Sequence, residues 1–357
     1  MTVKGIAALA RVSTGTVDRV LYNRGRVSEE TKARVRAIVE FYGFTPNPIA
    51  SRLKRGKPYR FCAFMPGRDQ DAGYWGQILL GIEKESAEAA ALGVETTIVE
   101  YDRYNSAEFR RRAKQVLDAE YDGVMFAPIT PALTRPFLKK LTGRNLPLVF
   151  FDTDLPGFKP LSVIGPDSRR GGYLAGRIMH LFVKNKKKQF AVLDAHECDH
   201  NLILRRDGFL RYAREHKFPA FSKEYGSRRL EMSEKEIGDF LDEHPDLGGI
   251  FIPNSMAHLV AAQKKREKKR FLIIGFDLIP VNLQLLSEGG IDVIIDQRPV
   301  LQGQEAMRTL YRRIVLQQEV PAKIDIPLDI YIRENAPPSA GPSGRQGENK
   351  FTGARAR

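Results

Sequence analysis

Several short apolar runs along the chain end on side chains that bind hydroxyl groups. FFDTD puts Asp152 and Asp154 after one run, and IGPDS puts Asp167 and Ser168 after the next. FIPNS supplies Asn254 and Ser255, IIGFD supplies Asp277, and IIDQ supplies Asp296 and Gln297. Tyr74 and Trp75 follow an earlier run in a glycine-bearing loop, and Trp75 is the only tryptophan. Carboxylates and carboxamides accept from hydroxyls, and aromatic rings cover C–H faces. These are the parts of a pocket for a small polyhydroxylated ligand, most simply a sugar. Roughly half of such loop Asp and Asn residues are expected to be plain helix caps, and Trp75 is as easily core as ligand wall.

Other chemistry is thinner. HECDH, at 196–200, sets two His around a Cys, which suits zinc or, more simply, a polar cleft wall; zinc needs three or four converging ligands. Gly171-Gly172 opens a helix and fits either an anion or close packing. KNKKK (184–188) and KKREKKR (264–270) read as solvated helix ends and loops. No phosphate-cradling loop and no nucleophile–base order stands out, so no enzyme, metal or cofactor is expected.

The elements that would position these residues alternate. RFCAFMP, VETTIVEY, GVMFAP, PLVFFD, LSVIGP, FAVLDA, GGIFIPN, FLIIGFD and IDVIIDQ read as strands, with amphipathic helices over 75–92, 106–119, 133–141, 171–183, 204–216, 257–264, 281–287 and 301–317. This alternation predicts a doubly wound parallel α/β architecture, and so many strands imply two sheets and two lobes. Ligands in such folds sit beyond the carboxyl ends of the strands. A disordered Pro/Gly/Ser-rich tail is expected over 334–357.

Residues 1–46 differ in kind: they predict an all-α head. Thr2 caps a first helix with Ile6, Leu9 and Ala10 inward; a second starts near Thr14 and turns Val17, Val20 and Leu21 inward. Ser28 caps a third, carrying Val35, Ile38, Val39 and Tyr42, and Gly43 ends it. Two short helices joined by a tight turn form a helix-turn-helix, whose second helix enters the major groove. A hinge follows over 47–57, with Pro48, Ile49, Ala50 and Leu53 suited to a helix too short to be stable alone. Across 2–57 twelve Lys and Arg face four acids, a net +8 out of +14 for the chain, which is the footprint of a phosphate-contacting surface.

VSTGTVDRVLYNRGRVSEET followed by FTPNPIASRL resembles the head and hinge of LacI/GalR-type transcription regulators. The resemblance implies that Thr14, Gly15, Thr16, Arg19 and Asn23 face the groove, with Lys54 beside it. It also implies that Leu53 enters the minor groove as the hinge pairs across a dimer. Asp18, Gly5 and Arg11 depart from the usual Ser, Asp and Gly. The remainder, about 59–333, is similar to the type I periplasmic-binding-protein fold, most recognisably at GFD (275–277) and DQRPVLQG (296–303). That resemblance implies lobe one over about 58–162 and 298–318 and lobe two over about 163–297 and 319–333. Carried over, Asp152, Asn254, Asp277 and Gln297 fall on ligand-contacting positions. Ile203 and Thr153 stand where sugar-binding relatives often have Arg, and Asn201 or His200 is the candidate to compensate.

At 357 residues, 42% hydrophobic and 28% charged, the chain has an ordinary globular composition. No run approaches eighteen apolar residues and no leader peptide is legible, so no membrane segment is expected. Cys62 and Cys198 make no disulfide framework, which suits a reducing cytoplasm. The expectation is a cytoplasmic homodimer that binds a palindromic operator and is controlled by a small carbohydrate-like effector. The competing expectation is a soluble sugar-binding protein with no role on DNA.

Overall fold

The computed structural model describes residues 1–21, 25–44, 56–183, 188–195, 199–225 and 232–338. The head is three helices, α1 (Val3–Ala10), α2 (Thr14–Leu21) and α3 (Glu29–Phe41). Each starts on a hydroxyl: Thr2 accepts from Gly5 N, Ser13 from Thr16 N and Ser28 from Thr31 N. Ile6, Ala7, Ala10, Val17, Val20 and Val35 form the core. Leu21, Ile38 and Val39 pack half-buried against it, and two other expected core residues are exposed. Leu9 is 50% exposed because Ile6, Ala7 and Ala10 occupy the inward face of a two-turn helix. Tyr42 is 47% exposed because it lies past the last helical residue, where Gly43 turns the chain at φ +56°. Arg11, in place of the usual Gly, adopts φ +53° at the end of α1. The predicted hinge at 47–57 lies outside the described residues except for its last two.

The body contains two sheets. Sheet one runs β11 (Lys323–Asp325), β5 (Ser162–Gly165), β4 (Leu148–Phe151), β3 (Gly123–Phe126), β1 (Tyr59–Pro66), β2 (Val94–Tyr101), all parallel. Sheet two runs β12 (Asp329–Tyr331), β10 (Val293–Asp296), β9 (Leu272–Phe276), β8 (Leu247–Phe251), β6 (Gln189–Ala195), β7 (Ala220–Tyr225). Only β12 is antiparallel. Lobe one carries α4 (Tyr74–Ala90), α5 (Ser106–Asp118), α6 (Pro131–Thr142) and α12 (Pro299–Ile314). Lobe two carries α7 (Ser168–Phe182), α8 (His200–Glu215), α9 (Glu234–Glu243), α10 (Ala257–Arg266) and α11 (Pro280–Ser287).

The central strands are almost continuously apolar because both of their faces are covered. In β1, Phe61, Ala63 and Met65 join one core cluster while Cys62 and Phe64 join the cluster on the opposite face. Sheet two divides the same way, with Ala191 and Leu193 on one side and Phe190 and Val192 on the other.

The expected lobe boundaries need correction. β5 pairs with β4, and β11 pairs with β5, so 163–165 and 323–325 belong to lobe one rather than lobe two. The chain therefore crosses between lobes after β5, after β10 and between β11 and β12. Three- and four-residue strands carry too little pattern to say which sheet they join. β7 and α9 were not anticipated either. β7 is an edge strand with Ser222, Lys223 and Glu224 exposed, so it lacks an apolar run. The tail starts later than expected: Asn335 donates to Ile330 O and accepts from Ile332 N, and Ala336 packs on the lobe-two core.

Both sheets share one strand order. β1 lies between β2 and β3, and β6 lies between β7 and β8. The order reverses there, which opens a crevice at the strand carboxyl ends in each lobe. The two crevices face each other.

Candidate functional site

The residues after β1, β4, β8, β9 and β10 and at the start of α8 meet in one cavity between the lobes. Tyr74, Trp75, Asp152, Asn201, Asn254, Asp277 and Gln297, all seven of the expected ligand-side residues, line it. Asp152 and Asp277 close β4 and β9 with φ of +67° and +65°, a region that costs a side chain energy unless its surroundings hold it. This kink turns each carboxyl out of its strand and into the cleft.

Two hydrogen-bonded chains line the cavity, one between the lobes and one within lobe two. Tyr74 donates to Asp152 Oδ1 at 2.6 Å, and Asn201 donates across the lobes to Asp152 Oδ2 at 3.0 Å. Arg205 donates to Gln297 Oε1 at 2.8 Å, and Gln297 Nε2 donates to Asp277 Oδ1 at 2.7 Å. Gln302 joins the chains, accepting from Asp152 N and donating to Gln297 O. Arg205 also donates to Pro253 O and lies 3.9 Å over the Phe276 ring.

Beside these chains is a buried ionic clasp. Arg103, after β2, donates to Asp71 in its own lobe and to Asp199, at the foot of α8, in the other. Asp199 also accepts from Thr130 N, so lobe two reaches lobe one twice through one side chain. Asp71 accepts from Trp75 Nε1 and from the Tyr104 hydroxyl, and its carbonyl accepts from Ser255.

Burial pushes the Asp152 carboxyl up to about 6, against the pull of Arg205 and the Tyr74 hydroxyl. Burial pushes Asp277 up to about 7, again against Arg205, with Asp296 adding to the rise. Burial and then Asp152 hold Tyr74 well above the usual tyrosine range, so its hydroxyl stays a donor. Burial opposes the charge on Arg103, but Asp199 and Asp71 together hold it firmly protonated.

Several expectations change in detail. Tyr74 and Trp75 stand on the first turn of α4 rather than in a loop, and Trp75 is 1% exposed. Its indole N–H is engaged by Asp71, so it offers the cavity a ring face rather than a donor. Asn254 accepts from Met256 N and so shapes its own turn as well. Other strand-end residues are caps and turns. Asp167 caps α7 through Arg170 N, and Asp296 accepts from Leu278 N and Arg298 N. Asp154 meets His200 at 3.4 Å on the rim. Gly172 is a packing residue: a Cβ there would lie 1.7 Å from Arg205 O. No metal-holding group of three or more His, Cys, Asp or Glu occurs among the described residues, which exclude 196–198.

Asp71, Arg103, Asp199 and Arg205 were missed. Asp71 and Arg103 follow β1 and β2, so the rule that found Asp152 and Asp277 reaches them when applied to GRDQD and EYDRYN. Arg205 lies mid-helix and carries no such signal.

In the head, Thr14, Gly15 and Arg19 are exposed and Thr16 is half-buried on α2. Arg19 lies against Gly25, where a Cβ would meet its Cδ at 3.5 Å. Asn23, Leu53 and Lys54 lie outside the described residues.

Comparison with known proteins agrees with this geometry. Residues 62–318 match the periplasmic binding protein domain family, and residues 2–47 match the lacI family of bacterial regulatory proteins. The HTH-type transcriptional regulator DegA of Bacillus subtilis is 25% identical over 350 residues, covering 94% of this chain and 98% of that protein. The ribose operon repressor of Bacillus subtilis is 25% identical over 284 residues, covering 78% and 82%. The crystal structure of GanP, a glucose-galactose binding protein from Geobacillus stearothermophilus, superimposes with a TM-score of 0.70 at 25% identity, covering 79% of this chain and 99% of that one. The chain belongs to the periplasmic-binding-protein domain family and carries a lacI-family head, which makes it a DNA-binding transcriptional regulator with an effector domain.

Proposed function

We propose that the cavity between the lobes binds a small polyhydroxylated effector, and that the effector sets operator affinity. One observation carries this reading: acceptors and donors from both lobes converge on a single buried cavity walled by Tyr74 and Trp75. The ribose-repressor and glucose-galactose-binding relatives support the same ligand class. Asp152, Asn201, Asn254, Asp277 and Gln297 serve as its polar contacts. The cavity is about 30 Å³, far below the roughly 300–1,000 Å³ of a ligand pocket. A sugar therefore enters only when the lobes part.

On DNA, Thr14, Gly15, Thr16, Arg19 and Asn23 read the major groove, and Leu53 and Lys54 act at the minor groove. The protein works as a cytoplasmic homodimer on a palindromic operator, without catalysis. Effector closing or opening the cleft changes the spacing of the two hinges, and with it the fit to two half-sites.

Calorimetry on Asp277→Ala tests the effector half. An acceptor lost from a buried site costs about 1–3 kcal/mol, so effector binding should weaken to that extent. Unchanged affinity would remove Asp277 from the site.

A further inference from the structure

The charges around the cavity do not balance. Four carboxylates line it, on Asp71, Asp152, Asp199 and Asp277, against the two guanidinium groups of Arg103 and Arg205. All six side chains are buried. Arg103 is held by Asp71 and Asp199, which leaves that set one negative charge in excess. Arg205 gives its Nη donors to a carboxamide and a backbone carbonyl. Among the described residues, neither Asp152 nor Asp277 forms an ion pair within 4 Å. Each is steadied by neutral donors: Tyr74 and Asn201 for Asp152, and Gln297 for Asp277.

Neutral hydroxyls satisfy hydrogen bonds but leave net charge in place. Arg205 is the positive charge that acts most strongly on both Asp152 and Asp277, so one guanidinium is shared between two buried carboxylates. A buried carboxylate without its own counter-charge is costly, and an ammonium group placed beside the pair removes that cost. The walls suit a cation as well, because the face of an aromatic ring is electron-rich. Tyr74 and Trp75 supply such rings at the cavity.

We infer that the effector carries a protonated amine, seated between Asp152 and Asp277, and that the ligand class is an amino sugar rather than a neutral sugar. This rests on the reading that the inter-lobe cavity is the effector site. The raised affinity of both carboxyls for protons is consistent with it, since burial holds Asp152 up to about 6 and Asp277 up to about 7. An arriving ammonium lowers both values and expels the protons they hold. The groups that face the pair are Tyr74 from α4, Arg205 from α8, Asp199 at the foot of α8, Arg103 after β2 and Asp296 at the end of β10. Asp277 is the one whose titration falls nearest neutral pH.

Trp75 is the only tryptophan and lines the cavity, so intrinsic fluorescence reports on this site. The full-length protein is titrated with D-glucosamine, D-galactosamine and D-mannosamine, with their N-acetyl forms, and with glucose, galactose and mannose. One amine should bind at least about tenfold tighter than both of its neutral counterparts. Its affinity should fall about tenfold or more between pH 7.5 and pH 5.5, as the carboxyls take up protons. Calorimetry in buffers of different ionisation enthalpy should show proton release on binding at pH 6.5. Asp277→Asn, checked for folding by its melting curve, should narrow the preference for the amine over its neutral counterparts.

A neutral sugar that changes Trp75 fluorescence and binds as tightly as its amine overturns this inference and leaves the effector-site reading standing. Fluorescence unmoved by all nine ligands overturns the amino-sugar inference and the sugar reading together.

Discussion

Asp277 is held in a left-handed backbone conformation with its carboxyl buried and one hydrogen bond from Gln297. Its folded pKa, about 7, lies above the ordinary 3.8. A raised folded value means that the group's contribution is fully favourable below about pH 4 and is lost as pH rises toward 7. The ligand-free effector domain should therefore lose stability over that window. Asn keeps the acceptor for Gln297 and tolerates left-handed φ. Asp277→Asn should raise stability by on the order of 2 kcal/mol at pH 8 and by less at pH 5, read by urea unfolding. An equal gain at both pH values would mean that charge is not the cause. At the other end of the chain, Arg19 is exposed on α2. Arg19→Ala should relax preference at one base pair per half-site, by roughly 1–3 kcal/mol. A uniform loss across all sequences would make Arg19 a phosphate contact instead.

Paired glycines set how closely the helices bearing the site approach their neighbours. In lobe two, a Cβ on Gly172 of α7 would fall 1.7 Å from Arg205 O, and one on Gly208 of α8 would fall 2.0 Å from Arg169 O. Lobe one repeats the device: Gly81 of α4 faces Val300 O at 2.0 Å, and Gly303 of α12 faces Ile78 O at 2.1 Å. Backbone atoms cannot yield as a side-chain tip can, so the helices themselves would have to separate. Gly172→Ala should cost roughly 1–3 kcal/mol of stability or more. It should also weaken effector binding, because α8 carries Asn201 and Arg205 into the cleft. Loss of stability with wild-type effector affinity would show that α8 can shift without disturbing the site.

Across the whole molecule, the Arg103 clasp and the Asn201–Asp152 bond join the lobes at the cavity. Asp199→Ala removes the lobe-two half of the clasp and leaves Arg103 paired with Asp71. The ligand-free protein should then open, with a larger radius of gyration by small-angle X-ray scattering. An unchanged radius would mean that the clasp does not hold the lobes together. Coupling between cleft and operator is a free energy and must be reciprocal. Whatever factor the effector imposes on operator affinity, operator DNA should impose on effector affinity. Leu53→Ala should weaken specific operator binding and reduce the DNA bend if the hinge wedges the minor groove. A wild-type bend would rule the wedge out.

The sequence by itself determined what depends on near neighbours. Thr2 and Ser28 start the first and third head helices because a cap needs only the residue three positions on. The doubly covered strands were legible as apolar runs, and the rule that ligands sit at strand carboxyl ends placed Asp152, Asp277 and Gln297 in the site. Tertiary structure decided what depends on distant partners. Arg103 and Asp199 are 96 residues apart, and Arg205 and Gln297 are 92 apart. No local pattern couples such pairs, so the clasp and the buried arginine could be found only once two sheets faced each other. The same holds for β5 and β11, whose few residues fit either sheet until pairing assigns them. The charge excess of the cavity belongs to this second kind: each aspartate is visible in the chain, but only burial in a common space makes four of them outweigh two arginines.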